Sequence, residues 1–289
     1  MTRRIFYHTD HDGEASGAIA YNWANTVATP YQACVLYPIT YGKPFPFDQI
    51  HEGDSVYILD YSIPPADMKK LLAITPNVVW IDHHKTAIEE YSYHPEIGEI
   101  AGIRDTDEAG CVLTWAFFNG RGVIPLPIVL IGDRDVWRFA YGDDTRNFCM
   151  GLHMYNTEPS DKMWPRLFSE AGKSMVYEMQ KEGKIATQYR DSWAKSYSKS
   201  WGYDATIDGF GDVKCFVMNL GRCGSEFFGD RIKEYDVCAS VGFNGSMWEV
   251  SFYSEKIDVS VIAKKFGGGG HTGASGAVVA GLPFKKITE

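Results

Sequence analysis

Short apolar runs that stop abruptly in charged residues recur along the first half of the chain. Val79-Trp80-Ile81 runs into Asp82-His83-His84-Lys85, and residues 4–7 and 55–59 end in the same way. A short apolar run rich in β-branched residues is typical of a strand that is buried on both faces, as in a parallel α/β sheet. The carboxyl ends of such strands open into the crevice where α/β proteins bind their ligands.

Residues 66–74 form a helical pattern between two of these runs. A strand, a helix and a strand at this spacing predict a βαβ unit, whose parallel strands end at the same edge of the sheet. Asp60 and Asp82 are therefore expected near the residues that follow the first run. Those residues are His8, Asp10 and Asp12. Gly13 follows them and permits a sharp turn of the backbone into a helix. A capped turn explains each stretch when it is taken alone, but it does not explain why the pattern recurs.

A second helical pattern begins at Asp107, and residues 127–132 form another apolar run that ends at Asp133. Periodicity cannot distinguish a buried helix from a strand in so short a run. Under either interpretation, Asp133 is a further carboxylate at the end of an apolar element.

The composition changes after residue 157. Residues 160–200 are charged and helical, which indicates a connector, and short β-like runs follow at 213–218, 237–243 and 248–253. A helical stretch at 259–266 then leads into Gly267-Gly268-Gly269-Gly270-His271. Four glycines can form a linker, but a loop whose backbone amides approach an anion fits the following His-Thr-Gly better.

These patterns predict an α/β fold with two domains. Residues 1–157 form a domain with a parallel sheet, residues 158–200 a helical connector, and residues 201–289 a smaller α/β domain with a mixed sheet.

Composition narrows the class of protein. The chain has 289 residues, 45% hydrophobic and 22% charged, which is typical of a globular protein. The absence of a long apolar run argues against a membrane protein and a signal peptide, and predicts a cytoplasmic protein. The six cysteines include no CxxC pair, so we expect reduced thiols. A net charge of −9 argues against tight binding of long duplex nucleic acid.

The ordered motifs resemble the DHH phosphoesterase superfamily with its DHH-associated C-terminal domain. The motifs are His8-x-Asp10-x-Asp12-Gly13, Asp60, Asp82-His83-His84, Asp133 and Gly268-Gly269-Gly270-His271-x-x-Ala274-Ser275-Gly276. Within the superfamily, Asp133-Arg134-Asp135-x-Trp137 and Asn219-x-Gly221-x-x-x-Ser225-Glu226 look most similar to the nanoRNase branch. One departure is the short His-x-Asp-x-Asp spacing, which leaves two interpretations of His11: a substitute ligand for His8, or a histidine that binds no metal.

The resemblance implies a site for two metal ions, usually manganese, with magnesium or cobalt as alternatives. His8, Asp10 and Asp60 would hold one ion, and Asp12, Asp60, His83 and Asp133 the other. Asp60 would bridge the ions. Asp82 would orient a histidine, and His84 would face the substrate phosphate, so that Asp60, Asp82 and His84 carry the catalysis.

The implied activity is hydrolysis of short single-stranded RNA, DNA or dinucleotides to mononucleotides. Gly268, Gly269, Gly270, His271 and Ser225 would bind substrate. Arg104 and Arg222 are candidate phosphate clamps, although a structural or surface arginine is the favoured interpretation of each. A cyclic-dinucleotide phosphodiesterase, a phosphatase of small phosphate compounds and a non-enzymatic nucleotide sensor are the alternatives. The sequence leaves the oligomeric state open.

Overall fold

The computed structural model describes residues 1–27, 33–120, 122–221 and 223–287. It has two compact units, residues 1–186 and 187–289. The first unit begins with strands and helices in alternation: β1 (Arg3–His8), α1 (His11–Val27), β2 (Cys34–Ile39), β3 (Ser55–Leu59), α2 (Pro65–Ile74), β4 (Val78–Ile81) and α3 (Lys85–Ser92). Helices follow: α4 (Gly110–Asn119), α5 (Leu126–Asp135), α6 (Asp143–Leu152) and α7 (Met163–Leu167).

The four strands of the first unit form a parallel sheet in the order β2-β1-β3-β4. Alternate strand residues point to opposite faces, and both faces are buried. Phe6, Ile58 and Trp80 pack with helix α2 on one face, and Ile5, Leu59 and their neighbours pack with α1 and α4 on the other. Burial on both faces explains why the strands read as nearly continuous apolar runs.

Helix α8 (Gly172–Trp201) contains the boundary between the two units. The elements of the second unit then follow: β5 (Gly202–Ile207), β6 (Phe210–Met218), α9 (Arg231–Glu234), β7 (Val237–Phe243), β8 (Trp248–Tyr253), α10 (Val259–Lys265), β9 (Gly269–Gly270), β10 (Ala274–Val279) and β11 (Phe284–Lys286). They form a sheet in the order β11-β5-β6-β7-β8-β10-β9, in which β6 and β7 are parallel and the other pairs antiparallel.

The predicted fold class is confirmed: a parallel-sheet α/β unit precedes a long helix and a smaller unit with a mixed sheet. The run at residues 127–132, which the sequence left undecided between strand and helix, belongs to helix α5. The predicted domain boundaries at 157 and 200 stay a prediction. No helix among the described residues is both long and apolar enough to cross a membrane.

Candidate metal centre

Three strand ends meet at the carboxyl edge of the parallel sheet. His8 is the last residue of β1, and Asp60 and Asp82 each follow directly after β3 and β4. Tyr7 pairs with Leu59, and Leu59 pairs with Ile81, so these three polar residues lie side by side on neighbouring strands. The βαβ arrangement therefore brings together residues that are far apart in the sequence.

The first group of metal-binding side chains consists of His8, Asp10 and Asp60. Their ligand atoms all lie within 4.8 Å of one another. His8 Nδ1 is 2.8 Å from Asp10 Oδ2 and 3.7 Å from Asp60 Oδ2. Burial acts to lower the pKa of His8, but the carboxylates of Asp10 and Asp60 outweigh it and raise the pKa to about 10.

The second group surrounds the imidazole of His83. His83 Nε2 is 3.2 Å from Asp60 Oδ1, 3.3 Å from Asp135 Oδ2 and 3.7 Å from Asp12 Oδ2. Asp60 thus directs one carboxylate oxygen to His8 and the other to His83. It lies between the two groups, and its role as a bridging ligand stays a prediction.

Asp82 holds the two histidines that follow it. Its Oδ1 is 2.6 Å from His84 Nδ1 and accepts a hydrogen bond from the backbone N–H of His83, and its Oδ2 accepts one from the hydroxyl of Ser62. Burial alone would raise the pKa of Asp82, but these hydrogen bonds and the charge of His84 lower it. The same carboxylate raises the pKa of His84 against the effect of burial. Asp82 therefore fixes the ring of His84 directly and holds His83 through its backbone.

Asp60 has an unusual backbone conformation, with φ at 53°. A residue with a Cβ rarely adopts a positive φ, and the cost is typically about 1–3 kcal/mol when the surrounding structure imposes it. The N–H of Asp60 donates to the carbonyl of Ile81 on the neighbouring strand, which holds the backbone in this position. Such strain is concentrated at functional sites.

The start of helix α4 completes the site. The N–H groups of Gly110 and Cys111 donate to the two carboxylate oxygens of Asp12, at 2.7 and 2.8 Å. A Cβ at position 110 would lie 2.7 Å from the Cβ of Asp60 and 2.9 Å from Asp12 Oδ2. Only glycine fits there without displacing the two carboxylates.

A bound cation would stabilise the buried carboxylates of the cluster. Burial, and then the neighbouring carboxylates, raise the pKa values of Asp12 and Asp60 well above the usual range, and burial also raises that of Asp135. His8 Nδ1 and Asp60 Oδ1 are buried and make no hydrogen bond within the described part of the chain. For His8 the distance to Asp10 is short but the geometry does not suit a hydrogen bond. Buried carboxylate oxygens and imidazole nitrogens that lack a hydrogen-bond partner are suitable ligands for a divalent metal ion.

Asp133 is not brought into this cluster. Its carboxylate accepts hydrogen bonds from the N–H of Ala140 at 2.8 Å, the N–H of Tyr141 at 3.3 Å and the hydroxyl of Thr145 at 2.5 Å. These contacts hold the segment that follows helix α5, and the start of helix α6, against helix α5. Asp135 occupies the position in the cluster that the resemblance assigned to Asp133.

Two further predicted residues lie in structural contacts in the first unit. His11 packs against His153, with ring centroids 4.3 Å apart, and belongs to neither ligand group. Arg104 donates to the carbonyl of Trp80 at 3.1 Å, and its guanidinium lies 5.2 Å from the centre of the Trp80 ring. Arg222 lies outside the described residues.

The glycine-rich residues belong to the second unit. Gly269 and Gly270 form β9, which pairs with Gly276 and Ser275 of β10, and the exposed His271 forms the turn between these strands. A Cβ at Gly268 would clash with the carbonyl of Gly276, so this glycine is required by close backbone approach. Ser225 begins a short 3-10 helix and is buried, and its hydroxyl makes no hydrogen bond with any described residue.

Sequence reasoning missed four contributors to the site: Ser62, Gly110, Cys111 and Asp135. Asp135 was detectable, because it lies in the same acidic motif two residues after Asp133 and a helix that continues through the motif presents both carboxylates. The backbone N–H groups of Gly110 and Cys111 leave no side-chain signal.

No family model matches the sequence. An uncharacterized protein of Acanthamoeba polyphaga mimivirus is 26% identical over 251 residues, which is 81% of this chain and 56% of that protein. The chain thus spans about half the length of the curated relative it matches.

Solved structures share the fold at low sequence identity. An exopolyphosphatase-related protein from Bacteroides fragilis has a TM-score of 0.54 and 14% identity, covering 97% of this chain and 87% of that one. RecJ from Thermus thermophilus in complex with Mn²⁺ has a TM-score of 0.51 and 15% identity, covering 96% of this chain and 49% of that one. The chain is therefore similar to these proteins in fold.

Proposed function

We propose that the chain is a metal-dependent phosphodiesterase that hydrolyses short single-stranded oligonucleotides and linear dinucleotides to mononucleotides. The observation that carries the proposal is the position of Asp60, whose two oxygens face separate groups of metal-binding side chains. A shared carboxylate between two such groups is the arrangement expected for a pair of divalent ions.

The proposed ligands follow the geometry. His8, Asp10 and Asp60 hold one ion, and Asp12, Asp60, His83 and Asp135 hold the other. Two bound divalent ions would supply an acidified water and stabilise charge on phosphate oxygens. The oxygen and imidazole ligands suit manganese or magnesium better than metals that prefer thiolates, and cobalt is an alternative.

His84 is proposed to bind a phosphate oxygen of the substrate. Asp82 fixes its ring through Nδ1 and raises its pKa, which favours the protonated imidazole that would pair with an anionic substrate. The Gly268–Gly270 backbone, His271, Ser225, Arg104 and Arg222 are proposed as further contacts to the substrate.

The preference for short substrates rests on charge. The net charge of −9 opposes a long polyanion, which gains its affinity from many Lys and Arg contacts, whereas a short substrate needs only the local positive charge of the metals. The fold shared with RecJ, which binds Mn²⁺ in its solved structure, supports the metal part of the proposal.

A time course of hydrolysis tests the proposal. The purified protein would be incubated with Mn²⁺ and a linear dinucleotide, a five-nucleotide RNA, a twenty-nucleotide RNA, a cyclic dinucleotide or pyrophosphate, with His83→Ala as the control. Rapid loss of the short linear substrates, absent in the variant, is the expected result. Cleavage of only the cyclic compound or pyrophosphate would overturn the substrate assignment, and no cleavage of any compound would overturn the enzyme class.

A further inference from the structure

Aromatic residues recur at every fourth position on the part of helix α8 that lies in the second unit. We call this row the aromatic ridge, and its members are Tyr189, Trp193, Tyr197 and Trp201. Residues four apart lie on the same face of a helix. Tyr189 is 74% exposed and Trp201 62% exposed, which is unusual for large aromatic side chains on a folded unit.

The inner rings of the aromatic ridge are held in place. Trp193 and Tyr197 stack with centroids 5.0 Å apart at 27°, and Tyr197 and Trp201 stack at 6.4 Å and 28°. The hydroxyl of Tyr197 donates to the carbonyl of Asn219 at 2.5 Å, and Trp193 meets the ring of Phe227 edge to face. Trp193, Tyr197 and Trp201 therefore form a preorganised stack of rings inclined to one another by 27–28°, and Tyr189 and Trp201 are the exposed ends of the ridge.

Two polar rows run beside the aromatic ridge. Along an α-helix the i±4 rows form neighbouring ridges that are offset by three residues. The row next to the aromatic ridge contains serines, and we call it the serine ridge. The row after that contains lysines, and we call it the lysine ridge. The exposed members are Ser192, Ser196 and Ser200 in the serine ridge, and Lys195 and Lys199 in the lysine ridge.

The one acidic residue of this stretch is already paired. Asp191 shares the row of the lysine ridge, and its carboxylate accepts from Arg190 at 2.8 Å. Residues 187–201 carry three basic side chains and this single acidic one, in a chain whose net charge is −9. The stretch is thus locally positive.

We propose that these three ridges form a binding site for single-stranded nucleic acid. The order from aromatic to hydroxyl to ammonium groups matches the order of base, sugar and phosphate across a nucleotide. Bases stack on exposed rings without regard to sequence, and lysines neutralise the phosphates. A protein partner would use the aromatic rings, in which protein interfaces are enriched, but not the adjoining serines and lysines, in which they are depleted. A second copy of the chain would also present the same positive charge.

The proposed site extends the proposed function without depending on it. It is built entirely from residues of the second unit, and it requires binding only. Affinity can therefore be measured with divalent ions removed, so that hydrolysis does not enter the result.

The test is fluorescence anisotropy of a labelled ten-nucleotide oligo-dT in EDTA. The full chain is expected to bind, and Trp201→Ala to weaken binding roughly tenfold, given the usual contribution of a stacked base. Tyr177→Ala is the matched control, because Tyr177 is a 60% exposed aromatic on the same helix but lies in the first unit, about three turns before Tyr189, and it should leave binding unchanged. Tyr189→Ala provides a second ridge variant if Trp201→Ala does not fold.

The contribution of the lysine ridge is measured separately, from the dependence of binding affinity on salt concentration. Lys195→Gln with Lys199→Gln should flatten the slope of log affinity against log salt by about 1.4, which is about 0.7 for each phosphate that a lysine no longer neutralises. Lys173→Gln, another exposed lysine of helix α8, should leave the slope unchanged.

Three results would each overturn the proposal: no binding by the full chain at low salt, an equal effect of Tyr177→Ala, or an unaltered salt slope in the double lysine variant. A shift from dimer to monomer in sedimentation caused by Trp201→Ala, without loss of oligonucleotide binding, would instead make this face an interface between copies. Failure of the hydrolysis assay would leave the binding result standing, so the two proposals fail separately.

Discussion

Asp133 and Asp135 lie two residues apart in helix α5 but have different partners. Asp135 approaches His83, whereas Asp133 fastens the segment after the helix through Ala140 and Thr145. Hydrogen bonding outweighs burial and holds the pKa of Asp133 below its usual value. The two carboxylates therefore have separable roles, one electrostatic and one structural.

Asparagine at each position separates these roles. Asp135→Asn should weaken Mn²⁺ binding by roughly 100-fold or more in calorimetric titration, because an anionic ligand is lost. Asp133→Asn should leave that affinity unchanged but lower the free energy of unfolding by about 1–3 kcal/mol, because a buried hydrogen-bond acceptor is altered. The opposite pattern would return Asp133 to the metal site.

Gly110 controls the site without contributing a side chain. In Gly110→Ala, the added Cβ would lie 2.8 Å from Asp60 Oδ1, so the shared carboxylate must move. Displacements of about 1 Å cost on the order of 100-fold in rate, and we expect a loss of that size in kcat for short oligonucleotides. Gly211→Ala is the control, because no atom lies within 4 Å of the added Cβ there. Equal activity of the two variants would contradict this role for Gly110.

At the scale of elements, the strands that carry the site could be predicted from sequence, and strand β2 could not. β1, β3 and β4 are buried on both faces and read as apolar runs that end in polar residues. β2 contains Pro38, which suits its position at the sheet edge but breaks the strand pattern. β9 consists of two glycines, so it has no side-chain pattern at all.

Sequence reasoning recovered most of the site for a related reason. His8, Asp10, Asp12 and Asp60 are at or just beyond strand ends, where a strand pattern and the βαβ rule give their positions. Asp135 is the last residue of helix α5, and which side of the helix faces the sheet depends on packing between distant elements. The hydrogen bonds to Asp12 come from backbone groups, which every residue except proline offers, so the sequence does not mark them.

A polar network joins the strands of the parallel sheet near their amino ends, opposite the carboxyl ends that form the candidate metal centre. Arg4 of β1 donates to Asp54 at 2.5 Å and to the hydroxyl of Tyr37 of β2 at 2.6 Å. The N–H groups of Thr2 and His51 also donate to Asp54. Asp54→Asn should lower the free energy of unfolding by about 3 kcal/mol in urea denaturation, because Arg4 is left without its charged partner. Glu96→Gln, which removes the exposed pair with Lys69, should change it little.

The contribution of Asp54 should depend on pH. Burial acts to raise its pKa, but the hydrogen bonds from Arg4, Thr2 and His51 lower it to about 2, against an ordinary value of 3.8. A lowered folded-state pKa stabilises the protein above pH 3.8, and this contribution is lost as the pH falls through about 2. The difference in unfolding free energy between wild type and Asp54→Asn should therefore be full at pH 6 and smaller at pH 3. A difference that grows on acidification would contradict the assigned contacts.

At the scale of the whole molecule, the proposed metal site and the second sheet belong to different compact units. The proposed ligands all lie within residues 8–135, so a bound ion would stabilise the first unit directly. The carboxylates of the cluster are buried and repel one another. Neutralising their charge should therefore stabilise the first unit most.

Hydrogen exchange with and without Mn²⁺ locates this effect. At about 100 times the dissociation constant, binding stabilises by about 2.7 kcal/mol, which slows exchange through the opening of the first unit by about 100-fold. Peptides at the ends of β1, β3 and β4 should be slowed, and those of the sheet formed by β5–β11 should not. Asp60→Asn should abolish the slowing, because both ligand groups lose their shared carboxylate. Equal slowing in both units would mean that they open together, and that metal binding is coupled to the sheet that carries the glycine-rich motif.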